Sequence, residues 1–187
     1  MRSSSRAELH PAPADDAALV AQAQAELPYR TGAFEALVRR HGGRIKALTR
    51  RFVSSAADAE DLAQDILLKL FFELPRFRGE AAFSTWLWRL AANACIDHQR
   101  RCAARPAQVE DVQSCPEIVD TRDAIGATEA RIDTERLLQR LPAQDRLIVL
   151  LRLQVGLEFA EVAQAVGLGL SAVKMRYQRA IERLRAG

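Results

Sequence analysis

Between residues 58 and 101, apolar residues recur with a period close to that of an α-helix, and they do so on more than one face. In DAEDLAQDILLKLFFEL, Leu62, Ile66, Leu67, Leu70, Phe71 and Leu74 form a stripe that predicts a helix packed on a core. A second face of the same helix runs through Asp61, Gln64, Asp65, Leu68 and Phe72, spaced i, i+3, i+4, i+7 and i+11. It is acidic and polar at one end and apolar at the other. A helix buried on one side only has no need of Leu68 and Phe72 there, so the pattern predicts a further surface that covers them. A short loop, residues 76–82, holds Arg76, Arg78 and Gly79. The helix predicted after it carries Phe83, Trp86, Leu87, Leu90, Ala91 and Ala94 on one stripe and Arg89, Asn93 and Arg100 on its other side.

Upstream, residues 1–14 are rich in Ser, Pro, Ala and charge and read as a tail. Asp15 and Asp16 are placed to cap a short helix running to Leu27, with Leu19 on its apolar side, and Pro28 ends it. A longer helix opens at Thr31 or Gly32, with Phe34, Leu37, Val38, His41, Ile45, Leu48 and Phe52 on one stripe. His41 therefore reads as a core or boundary histidine. Arg39, Arg40, Arg44, Lys46, Arg50 and Arg51 lie elsewhere on this helix, with no acid from residue 36 to 53. Two readings stand for this run: a solvated basic face, or a surface that meets nucleic-acid phosphate or the acidic next helix.

Downstream of Arg100, Arg101 and Arg105, Pro106 blocks the helix and the composition turns acidic. Residues 107–135 hold eight acids against two bases, and Pro106, Pro116 and Gly126 interrupt any period. Residues 104–127 read as a flexible linker, either a solvated tether or an acidic mimic of nucleic acid. Beyond it, Ile132, Leu137, Leu138 and Leu141 precede Pro142, and an apolar run from Leu147 to Leu151, with Leu153, predicts a buried helix stopped near Gly156.

Residues 159–178 then fit a helix-turn-helix. Ala163 is small where the two helices touch, Gly167 supplies the positive φ of the turn, and Val173 returns the second helix to the core. Ser171 is placed to cap that helix. Its exposed positions are expected to be Ser171, Lys174, Met175, Gln178 and Arg179, and residues 171–187 carry five bases against Glu182. A basic helix led by such a turn suits the major groove.

Composition changes this picture little. The net charge of +3 is mild, so charge pattern matters more than the total. Aromatics make up only 6%, and strand-type alternation is scarce, which favours an all-α fold. Three cysteines (Cys95, Cys102, Cys115) without regular spacing argue against a disulfide framework and suit a reducing cytoplasm. Cys95 and His98 form a single ligand pair with no second pair in reach, so Cys95 reads as a small buried residue and no metal or other cofactor is expected. No apolar run approaches a membrane span, and the N-terminus lacks an apolar signal core. There is no nucleophile elbow, phosphate-binding glycine loop or His-Glu zinc motif, so no enzyme is expected. Asp58, Glu60 and Asp61 read as first-turn acids favoured by the helix dipole.

DAEDLAQD followed by FRGEAAFSTWLWRLAANACID resembles region 2 of bacterial sigma factors, in the extracytoplasmic-function (ECF) class of the sigma-70 type. LPAQDRLIVLLRLQVGLEFAEVAQAVGLGLSAVKMRYQRAIERLR resembles region 4. The resemblance covers residues 30–103 and 128–186. It implies two small helical domains on a flexible acidic tether: a tail at 1–29, a region 2 bundle at 30–103, a linker at 104–127 and a region 4 helix-turn-helix at 128–187.

It further implies an initiation factor that docks on the clamp of the large subunit of core RNA polymerase through Asp61, Gln64, Asp65, Leu68 and Phe72. Asp65 stands where Glu is commoner. A melted promoter −10 strand would be met by Arg78, Gly79, Phe83, Trp88, Arg89 and Asn93. Trp88, off the apolar stripe, is left to pack or to stack, whereas Trp86 belongs to the core. A −35 duplex would be read by Ser171, Lys174, Met175, Arg176, Gln178 and Arg179. Met175 and Ala172 depart from the small polar residue and the Thr usual in the family, which leaves the preferred DNA sequence open. An anti-sigma factor, itself linked to the membrane, would hold the protein inactive. The rival readings are a stand-alone helix-turn-helix regulator, which binds duplex without polymerase, and a polymerase-binding decoy.

Overall fold

A computed structural model describes residues 13–104 and 136–186. All regular structure among these residues is helical. The first helix, α1 (Pro13–Glu26), starts on a proline, whose fixed φ suits a first turn, and stops before Pro28. Asp16, Val20 and Ala23 are buried positions of α1, and Leu27 is buried just past its end. Asp16 lies inside the helix rather than at its cap. It accepts hydrogen bonds from Arg40 Nη1 (2.6 Å) and from His41 Nε2 (3.1 Å), so it fastens α1 to the next helix. Leu19, expected on the apolar side, packs at the margin of the core.

Helix α2 (Gly32–Phe52) buries Leu37, His41, Ile45, Leu48 and Phe52, the stripe its periodicity predicts. Helix α3 (Ala56–Glu73) is capped by Ser55, whose Oγ accepts from the Asp58 N–H at 3.2 Å. It buries Ala59, Leu62, Ala63, Ile66 and Leu70. A 3-10 turn, Leu74–Arg76, leads into the loop, and α4 (Phe83–Ala104) returns across the bundle. The expected tail, residues 1–12, and the acidic linker lie outside the described residues. The short helix expected to run to Leu27 is α1, which starts earlier, at Pro13, and packs on α2.

The described residues of the second unit open with helical residues 136–139. Helix α5 (Ala143–Leu150) starts at Pro142 and widens into a π-turn, Leu151–Val155, which Gly156 ends at φ +81°. Helix α6 (Phe159–Val166) opens on a capping box between Glu158 and Glu161. Gly167, at φ +69°, makes the turn into α7 (Leu170–Ala186), as expected of a position only glycine adopts cheaply. Because α7 begins at Leu170, Ser171 sits within its first turn and is not the cap.

The two units pack together. Arg146, buried on α5, points its guanidinium at the end of α2, bonding the Phe52 carbonyl and lying 5.5 Å over the Phe52 ring. It also bonds the carbonyls of Gln139 and Leu141, both at 3.1 Å. Burial lowers its pKa; carbonyl oxygens rather than a carboxylate accept from its Nη atoms, and its Nε has no hydrogen-bond partner. Arg44 reaches from α2 to the Val155 carbonyl. The basic run of α2 is therefore largely spent inside the chain: Arg40 on Asp16, Lys46 on Glu60 of α3 (3.0 Å), Arg51 on Gln154 (3.4 Å).

Candidate docking and nucleic-acid surfaces

Helix α3 has one side closed and one side open. Opposite the buried Leu62, Ile66 and Leu70 stand Asp61, Gln64, Asp65, Leu68 and Phe72, brought onto one outward face. Leu68 is 56% exposed and Phe72 68%. Two large apolar side chains one helical turn apart, in water, mark a surface built to be covered. Phe72 is supported from behind by Phe71, edge to face at 5.4 Å, and Phe71 rests on Phe34 at 5.2 Å. The face is also one wall of a groove. The opposite wall is the end of α4, where Asp97, Arg100 and Arg101 line it. Arg101 lies 3.4 Å from Asp65, and Lys69 lies 3.9 Å from Asp97. The α4 wall was not legible from either helix alone, since spacing within one helix does not say which neighbour lies across from it.

The residues expected at a melted strand divide into two groups. Arg78 and Gly79 are exposed in the loop, where Gly79 takes φ +72°. Arg89 and Asn93 are exposed on the open side of α4. Phe83 and Trp88 are buried instead, at 7% and 0% exposure. Phe83 anchors the start of α4 against His41 (5.6 Å) and Phe77 (6.1 Å). Trp88 packs rather than stacks on a base. With Ala92 and Cys95 it forms a second buried stripe on α4, on a side distinct from Leu87, Leu90, Ala91 and Ala94. The second unit comes up against that side, with Leu157 and Glu161 lining a cavity together with Trp88, while from within the first unit the Arg44 guanidinium of α2 lies 5.3 Å over the Trp88 ring. The Trp88 Nε1 has no hydrogen-bond partner. Trp86, expected in the core, is half-buried and lies at the loop margin, 4.8 Å from Phe77.

Electrostatics at this junction follow from burial. Desolvation lowers the pKa of Arg44, and the nearby Glu161 carboxylate opposes that shift. Desolvation also lowers the pKa of His41 from 6.5, against the pull of Asp16, and its Nδ1 is left without a partner. The Cys95 thiol is pushed up to about 12 by complete burial, as a small core residue would be. His98 Nε2 lies 3.4 Å from Cys102 Sγ, its neighbour one turn on. Among the described residues no group of three or more His, Cys, Asp or Glu side chains is placed to hold a metal ion.

On α7, Ser171, Lys174, Met175, Gln178 and Arg179 are exposed and share one side. Val173 and Ala180 are wholly buried on the other, and Tyr177 rests edge-on against Phe159 of α6 at 5.2 Å. Arg176 departs from the expected reading set. It is partly buried and lies 2.8 Å from Asp145 of α5, a carboxylate only 7% exposed. Arg183 approaches the same carboxylate at 4.0 Å. Arg176 thus ties α7 to α5, and the outward basic positions are Lys174 and Arg179. The family resemblance, not helical spacing, had put Arg176 in the reading set, and Asp145, thirty-one positions earlier, draws it inward.

The family model for Sigma-70 region 2 matches residues 37–105, and that for Sigma-70 region 4 matches residues 131–184. The chain is similar to the ECF RNA polymerase sigma factor SigM of Mycobacterium tuberculosis H37Rv, 36% identical over 153 residues that cover 81% of this chain and 75% of SigM. It is 30% identical to the ECF RNA polymerase sigma-E factor of Escherichia coli K12, over 80% of this chain and 83% of that one. Among solved structures, CnrH in complex with the cytosolic domain of CnrY superposes with a TM-score of 0.68 at 28% identity, covering 91% of this chain and 95% of CnrH. RpoE of Bartonella quintana, solved with the anti-sigma factor NepR, shares the fold at a TM-score of 0.64 and 22% identity, over 82% of this chain and 94% of that one. With both regions matched in order and relatives of this identity spanning most of its length, the chain belongs to the extracytoplasmic-function sigma factors of the sigma-70 type, which are transcription initiation factors and not enzymes.

Proposed function

We propose that this sigma factor docks on the clamp of core RNA polymerase through the open face of α3, takes the melted −10 strand along residues 78–82 with Arg89 and Asn93, and reads the −35 duplex with the outward side of α7. The single observation that carries the docking assignment is the exposure of Leu68 and Phe72 beside Asp61 and Gln64, on a helix whose other side is fully buried. Acidic residues at one end steer and orient the encounter, and the apolar end supplies affinity once water is expelled.

The cavity beside the loop is lined from both units, by Arg78, Gly79 and Ser84 on one side and by Leu157 and Glu161 on the other. A DNA strand therefore enters only after α6 has withdrawn, and polymerase, by gripping the units at separate places, provides the means. The domain limits follow the resemblance: a region 2 bundle to residue 103, a linker to 127, a region 4 unit beyond. An anti-sigma factor is the expected regulator, in keeping with the partner of the similarly folded RpoE. The site of action is the cytoplasm; no helix among the described residues is long and apolar enough to cross a membrane.

The test is transcription by purified core polymerase on a promoter library. Transcripts that share a two-part promoter support the assignment. Polymerase binding without transcripts would make the chain a decoy, and duplex binding without polymerase would make it a free-standing regulator.

A further inference from the structure

The family match to region 2 begins at residue 37, so α1 lies outside it. Yet α1 holds the loop that region 2 presents. The Gln24 side-chain amide donates one hydrogen bond to the Leu74 carbonyl (3.0 Å) and another to the Phe77 carbonyl (2.7 Å), fifty and fifty-three positions away. These carbonyls bracket the 3-10 turn Leu74–Arg76, which the Phe77 N–H closes onto Leu74 at 3.1 Å. An amide nitrogen has two hydrogens, and Gln24 spends both on the entrance to the loop.

Beyond Phe77 the chain is little restrained. Residues 78–81 take part in no hydrogen bond among the described residues, and the next fixed point is the Ala82 carbonyl, which accepts from Trp86. The direction in which Arg78 and Gly79 leave the bundle is therefore set mainly at the bracket. Helix α1 is itself held in place at its other end, where Asp16 grips Arg40 and His41. Ala17, Val20 and Ala21 of α1 line the cavity that Arg78, Gly79 and Ser84 line from the loop side.

We propose that Gln24 is a positioning residue for promoter −10 recognition: bonded to both ends of the turn, it aims residues 78–82 at the melted strand without touching DNA. The inference rests on the reading of that loop as the −10 element's contact. Side chains that depend on orientation lose specificity when their support is loosened.

The experiment uses the full chain in holoenzyme with core polymerase, selecting from a promoter library randomised separately at the −10 and −35 elements. Gln24→Leu, of similar size but unable to donate, is expected to lose about tenfold of its discrimination at −10, the loss set by two hydrogen bonds. Discrimination at −35 and core binding should stay at wild-type values, with only a modest fall in melting temperature from the two carbonyls left without this donor. Gln24→Lys, which keeps N–H donors at that reach, should recover most of the −10 preference. Arg78→Ala tests the loop assignment itself. If Arg78→Ala blunts the −10 preference and Gln24→Leu does not, Gln24 has no positioning role. If neither blunts it, the loop reading falls. Parallel losses at −10, −35 and in thermal stability would make Gln24 a structural residue only.

Discussion

Helices α3 and α4 both carry more apolar surface than one bundle needs, and they dispose of it in opposite ways. On α3 the surplus, Leu68 and Phe72, stays in water. On α4 the surplus, Trp88, Ala92 and Cys95, is covered where the second unit packs against the first. A surplus face that the chain covers itself is a matter of internal assembly, and one left open calls for a partner. The contrast supports the proposal that α3 is the docking helix, and burial removes Trp88 from the set of residues free to meet DNA in this arrangement.

The contrast can be broken most sharply by truncation. Trp88→Ala should lower the free energy of unfolding by about 3–5 kcal/mol, the cost of emptying a filled aromatic site. Phe72→Ala should change it by less than about 0.5 kcal/mol, as exposed substitutions do. In binding to core polymerase Phe72→Ala should instead lose about 2 kcal/mol, roughly thirtyfold, as a central apolar anchor would. Denaturant titration and an equilibrium binding assay measure the two sides. Equal destabilisation by both truncations would erase the distinction between the faces.

Arg146 sharpens the same comparison from the side of the second unit. Arg146→Met keeps much of the volume but strands the Gln139 and Leu141 carbonyls it bonds and leaves the Phe52 carbonyl with Gln139 Nε2 as its donor. A loss of roughly 1.5 kcal/mol in stability is expected, together with faster hydrogen exchange at the end of α2. No change in exchange there would mean that Arg146 does not hold the units together.

The smallest effect concerns pH. Burial lowers the His41 pKa below 6.5 in the folded chain, with Asp16 pulling the other way and Arg40 and Arg44 reinforcing the fall. The folded state then disfavours the charged imidazole, so the unfolded chain binds more protons as pH drops below about 6.5. Stability should be fully present above that pH and should decline below it. His41→Gln should flatten that part of the profile, read by thermal melting from pH 7.5 to 5. A wild-type profile with no such decline would contradict the assigned direction.

Much of this was legible in the sequence where a single helix contains the information. The two faces of α3, the stripe of α2 that includes His41, and Gly167 at the helix-turn-helix bend all follow from spacing and backbone preference within one segment. What escaped depends on pairs distant in the chain. Arg176 joined the reading set through the family resemblance, and only the fold shows Asp145 beside it. Trp88, left open between packing and stacking, packs because a second surface lies over α4, and Trp86, expected in the core, is only half-buried; the spacing of Trp88, Ala92 and Cys95 does not say what covers them. Asp16 resembled a cap by type and position, yet the helix begins earlier and uses it as an anchor. Gln24 gave no signal, since both of its partners are backbone carbonyls.

The most direct test of the central claim is charge reversal at Asp61, exposed at the polar end of the open face of α3. Asp61→Arg should weaken binding to core polymerase by at least about a hundredfold, as reversal at a steering and pairing position does, while leaving the unfolding transition where it was. Binding to core polymerase at wild-type strength, with the fold intact, would show that the open face of α3 is not the docking surface.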